Sequence, residues 1–153
     1  MALENHSDMT ADQALFARDA SGALSKDRSN GVVAVFHQNE RPLSGLAGLM
    51  DWRFQGLISS HLKQGAITGK PGECAYFPVT RNGLTYHLLL IGGGVSESPG
   101  KRGAVPAESL KALAKNLQLL KVDKIAVSRS DFGNVTEDYL SKHFKGVPIW
   151  IVQ

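Results

Sequence analysis

The sequence predicts an α/β domain built on a mixed sheet. Three observations carry that expectation. Apolar runs without alternation recur at Gly31–Phe36, at residues 124–128 and at residues 147–152. Strands buried on both faces have that pattern. A helical period of Leu110, Leu113, Ala114, Leu117 and Leu120 lies between two of these runs, with Lys111 and Lys115 turned the other way. Two further apolar runs, residues 74–79 and 84–91, flank an Asn82-Gly83 pair, the signature of a tight hairpin.

The elements follow in order. Residues 1–30 are expected as a flexible or partly ordered N-terminal segment, either with a short helix over residues 9–17 capped by Thr10 or without it. Residues 31–153 form the domain. After the first strand, Pro42, Gly45 and Gly48 punctuate the chain. Asp51 is placed to cap a helix from Trp52 to about Lys63, with Trp52, Leu57, Ile58 and Leu62 on its apolar face. Gly65, Gly69, Pro71 and Gly72 make the next connection. Pro78 and the Asn82-Gly83 turn end the following strand. Its partner then closes on Gly92-Gly93-Gly94. Pro106 opens a helix with Glu108 in its first turn. Thr136 caps a shorter helix to Phe144, before the last strand.

Composition bounds the chemistry. The chain has 153 residues, enough for one domain with a real core. Seventeen Lys and Arg against fourteen Asp and Glu leave a net charge of only +3. Five His and a single Cys exclude a disulfide framework and a thiolate-rich zinc site. Cys74 lies in an apolar run and is expected to be a buried hydrophobe. No run reaches the roughly 20 apolar residues of a membrane helix, and residues 1–9 lack a secretory pattern. A cytoplasmic protein is the expectation.

Sixteen glycines are the compositional oddity. Gly92-Gly93-Gly94 with Val95 follows a strand, where phosphate-cradling turns occur. Yet the sixth position of a G-x-G-x-x-G pattern is Glu97, and Lys101 is followed by Arg102. A tight strand exit is the competing and favoured explanation. The segment Asp51-Trp52-Arg53 is read as a structural motif, with Trp52 anchoring the helix to the core. An interface or ligand rim is its alternative.

Catalytic constellations do not assemble. The histidines are isolated in sequence. Ser128 and Ser130 have no histidine placed to activate them, and Asp131, Glu137 and Asp138 read as a solvated loop and helix start. Residues 101–129 hold seven basic residues against two acids. Lys111, Lys115, Lys121 and Lys124 are therefore the candidate nucleic-acid contacts.

The ordered set of motifs from Arg41 to Gly94 resembles the N-terminal domain of leucyl aminopeptidases of the M17 peptidase family, especially its short stand-alone relatives. The matching features are Arg41-Pro42-Leu43, Gly45, Gly48, Asp51-Trp52-Arg53, Gly56, Ser59, Leu62, the segment Thr68-Gly69-Lys70-Pro71-Gly72-Glu73, Phe77-Pro78, and Leu88 to Gly92 with Gly94. The resemblance implies a macro-domain-like, three-layer α/β/α fold with a mixed, mostly parallel sheet. The family's metal ligands and catalytic groups belong to a separate C-terminal domain, and none of its motifs has a counterpart in this sequence. The resemblance thus implies no catalytic residue, no metal and no cofactor here. It implies a non-catalytic domain acting through protein–protein contact or self-association. Nucleotide or ADP-ribose binding at Gly92–Gly94, or DNA binding through the 101–129 stretch, is the alternative.

Overall fold

Six strands form one sheet in the order β1-β6-β5-β2-β4-β3. In chain order these are β1 (Leu3–Asn5), β2 (Gly31–Phe36), β3 (Cys74–Arg81), β4 (Leu84–Gly92), β5 (Ile125–Ser128) and β6 (Ile149–Val152). The helices are α1 (Gly45–Arg53), α2 (Leu57–Lys63) and α3 (Ala107–Leu119), and a 3-10 turn spans Arg129–Phe132. The computed structural model describes residues 3–5, 31–81, 84–96, 104–120, 125–133, 139, 142, 144 and 149–152. Every pairing is parallel except β3 with β4. The expected helices at residues 9–17 and 136–144 lie outside the described residues, apart from Tyr139, Lys142 and Phe144.

β2 is buried along its whole length. Its side chains alternate between two cores. Val32, Ala34 and Phe36 join Leu88 and Leu90 against Leu46, Ala47 and Met50 of α1 and Ile58 of α2. Val33 and Val35 join Leu89 and Ile91 against Leu110, Leu113 and Leu117 of α3. The result is the three-layer α/β/α arrangement with a mixed, mostly parallel sheet.

Three local expectations are corrected. The helix expected over residues 52–63 is two helices. Gln55 and Gly56 stand at φ +57° and +81° and break the chain between them. Gly56 N–H closes on Asp51 O at 2.8 Å, the long backbone bond of a Schellman stop. Asp51 sits inside α1 and caps α2 instead. Its carboxylate accepts from Ser59 N–H at 2.9 Å and from the Ser59 hydroxyl, eight residues on. That satisfies an amide of the first turn of α2, whose own N-cap is Gly56. Gly48 lies within α1 instead of interrupting the chain, while Gly45 opens the helix at φ +62°, a left-handed turn into it.

Pro78 does not end β3, which runs on to Arg81. The Arg81–Leu84 pair closes a two-residue hairpin, so bonded pairs fall on odd-numbered β3 residues. Pro78 therefore turns its imide nitrogen to the open edge, where no donor is needed.

Cys74 lies half-buried beside the α3 core, and burial pushes its thiol up from 9.0 to about 11. At pH 8 the folded chain should react with a thiol reagent at least about tenfold more slowly than the urea-unfolded chain. Between pH 9 and 11 the folded state keeps a proton that the unfolded state has lost. Stability falls across that window as pH rises. Gln55→Gly should remove the left-handed strain and raise stability by about 1 kcal/mol in urea melts.

Candidate functional site

The carboxyl ends of β2, β4 and β5 lie side by side, and two features meet there. The first is the glycine turn. Gly92 N–H donates to Glu73 O at 2.9 Å, Gly93 N–H to Phe36 O at 2.8 Å and Gly94 N–H to Gly69 O at 2.8 Å. All three amides are thus engaged by the protein's own backbone. A Cβ on Gly92 would collide with the Lys70 carbonyl oxygen, and one on Gly93 with the His37 ring. These glycines permit a close backbone approach.

The turn also continues the β2–β4 ladder beyond the strands. Gln38 N–H donates to Gly94 O at 3.0 Å. Asn39 then brackets Ser96, its Nδ2 donating to Ser96 O and its Oδ1 accepting from Ser96 N–H, both at 2.9 Å. Val95, between them, is 69% exposed. Ser109 of α3 ties the turn from the other side. Its hydroxyl donates to Gly92 O at 2.6 Å and accepts from Gly72 N–H at 2.9 Å.

His37 packs under Gly93 and is 3% exposed. Its Nδ1 lies 3.2 Å from Gly94 O, which assigns the ring proton to Nδ1. Nε2 is then a buried acceptor without a partner. Such an atom costs about 1–3 kcal/mol.

The second feature is a parting of strands. β2 and β5 pair only at Gly31–Ile125 and Val32–Ala126, although both continue beyond. The chain leaves the end of β2 towards β4 and β3, and the end of β5 towards β6. The 129–132 turn sits in the gap. The Asp131 carboxylate there, fully buried, reaches Val35 N–H at 3.4 Å. The Ser128 and Ser130 hydroxyls lie 2.9 Å apart beside it, Ser128 buried and Ser130 exposed. α1 packs against β2, β5 and this turn. The amides of its first turn receive no cap from the Ser44 side chain.

The other sequence candidates scatter. Lys111 and Lys115 are exposed one turn apart on α3, while Lys121 and Lys124 lie outside the described residues. Gly69 and Gly72 hold the turn just described. Trp52 does not anchor α1 to the core. It is 72% exposed, and the Arg53 guanidinium lies 5.1 Å from its ring. On α1 the inward positions belong to Leu46, Ala47 and Met50, which leaves residue 52 facing out. Among the described residues no group of three His, Cys, Asp or Glu gathers to hold a metal, and no helix is long and apolar enough to cross a membrane.

Residues 32–143 match the model of the cytosol aminopeptidase family, N-terminal domain. The chain belongs to that family. Relatives include a probable cytosol aminopeptidase of Shewanella loihica, 36% identical over 74 residues, which are 48% of this chain and 14% of the relative. One from Synechococcus sp. WH7803 is 36% identical over 69 residues, 45% of this chain and 14% of its own. The match therefore spans about one-seventh of these curated relatives. Among solved structures, the macrodomain of Thermus aquaticus DarG superposes with a TM-score of 0.61 at 13% identity, covering 99% of this chain and 97% of its own. A mutant of tomato leucine aminopeptidase gives 0.56 at 13% identity, with 100% of this chain covering 32% of that enzyme. The aminopeptidase N-terminal domain and the macrodomain thus share this fold.

Gly93→Ala should destabilise the domain by about 1–3 kcal/mol, because the His37 ring has to move. In the double variant with His37→Ala, the two losses should fall short of additive in urea melts, since the added methyl then meets vacated space.

Proposed function

We propose that the chain is a binding domain without catalysis of its own. Its ligand is a ribose-phosphate compound of the nucleotide or ADP-ribose class. The parting of β2 and β5 carries this reading. Open α/β sheets take ligands outside the carboxyl ends of neighbouring strands whose connections diverge. The groups lining that gap suit such a ligand. The first turn of α1, which the Ser44 side chain does not cap, offers amides and the positive end of a helix to phosphate. The exposed Ser130 hydroxyl offers a partner to a sugar hydroxyl, with the Asp131 carboxylate beneath it. The Gly92–Gly94 amides take no part, being engaged already, and the turn they form braces the neighbouring loop.

Resemblance to macrodomains supports the ligand class, and membership of an N-terminal domain family supports the lack of catalysis. A titration with ADP-ribose, followed by amide NMR shifts up to about 5 mM, tests the reading. Shifts are expected at residues 37–48 and 128–133. Ser44→Asp should cap α1 and hold or raise its stability, yet weaken binding at least about tenfold by placing a negative charge at the phosphate position. No shifts at millimolar ligand, or shifts confined to other residues, would overturn it.

A further inference from the structure

The loop of residues 37–44 joins the carboxyl end of β2 to α1, and Arg41 is the one Lys or Arg in it. Arg41 is exposed, yet its guanidinium is tied down. Nη1 donates to His37 O at 3.2 Å and to Glu40 O at 2.6 Å. His37 is the first residue beyond β2, so these bonds hold the charge at the strand end. An exposed arginine ordinarily loses rotamer freedom when it takes a ligand. Here much of that ordering precedes any contact.

The tie also leaves a defined edge. A guanidinium has five N–H donors in a planar fork. Both on Nη1 are engaged, which leaves Nε and Nη2 side by side. That edge matches two oxygens of one phosphate. Both acceptors of Nη1 are backbone carbonyls, and among the described residues no carboxylate pairs with the guanidinium. The neighbouring carboxylate, Glu40, turns to Ser44 N–H at 3.4 Å. It stands at the start of α1, where by itself it would repel a phosphate. The loop therefore favours phosphate only if a cation outweighs Glu40, and Arg41 is the cation it holds.

We infer that Arg41 is the residue that selects phosphate at the strand ends, taking two oxygens of one phosphoryl group on its Nε–Nη2 edge. The inference rests on the ribose-phosphate class proposed for the ligand and adds what chooses the phosphate within it. A full charge on a pre-ordered side chain does so, with the amides of α1 secondary to it. Lysine at this position would keep the charge and lose the fork.

Titration of the full chain with ADP-ribose, at about 20 mM and about 200 mM salt, tests this. The parent should bind more weakly at the higher salt. Arg41→Gln should weaken binding at least about tenfold at the lower salt, lose most of the salt dependence and keep the parent's circular dichroism spectrum. Arg41→Lys should fall between the two. Lys111→Gln removes the same charge from an exposed position on α3 and should bind as the parent does. The inference falls, and the ligand class stands, if the parent binds without regard to salt, if Arg41→Gln loses no more than Lys111→Gln, or if Arg41→Lys is as weak as Arg41→Gln. A parent that shows no binding at millimolar ADP-ribose overturns both.

Discussion

The close approach of backbone to backbone at Gly92–Gly94 organises the rest of the molecule. Side chains at 92 and 93 would hold off the 69–73 loop and the His37 ring. Without those contacts the three glycine amides would lose Glu73, Phe36 and Gly69 as acceptors. The Ser109 hydroxyl would lose its place between Gly92 and Gly72, and with it the tie from α3 to the loop. One small volume thus sets the position of a strand exit, a connecting loop and a helix start. Buried backbone groups need partners, so the glycines are required by hydrogen bonding as much as by space.

The orphaned Nε2 of His37 follows from the same constraint. The ring fills the room under Gly93 and gives its Nδ1 proton to Gly94 O, which leaves Nε2 facing protein without a donor. An apolar ring would avoid that cost but would leave Gly94 O without this donor. The polar side chain is retained at a net penalty on one atom and a gain on another.

Much of the fold was legible in the sequence because burial leaves a pattern. β2 and β5 read as unbroken apolar runs, α3 as a clear stripe after Pro106, and the β3–β4 hairpin as an Asn-Gly pair between strands. The failures share a different cause. Asp51 reads as a cap, but a cap acts on whichever amide reaches it, and that amide belongs to Ser59. Gly48 looks like a breaker from composition, yet it lies within α1, where a Cβ would meet the Leu43 carbonyl oxygen. Trp52 reads as core by size alone. Its direction depends on where α1 begins, and the start at Gly45 turns it to solvent. At the candidate site, the strand exit at Gly92 was legible, but the use of its amides was not, because their acceptors lie in loops far away in sequence. The parting of β2 and β5 has no local signal at all. It arises from strand order, which no single segment encodes.

α1 runs from the loop after β2 to the elbow with α2. Its first turn follows the loop that leaves the end of β2, and its last turn carries Trp52 and leads into α2. Nine residues at about 1.5 Å each separate these by about 13 Å. Leu46, Ala47 and Met50 are all buried against the sheet, so the helix moves only with its core. Close packing resists sliding by a fraction of a side chain, because every shift opens a void on one side and a clash on the other. A rigid α1 holds both ends in fixed relation without making one sense the other. Displacement of α1 by a ligand at the strand ends would need a second packing for the helix. The continuous apolar contact beneath the helix favours the one it has.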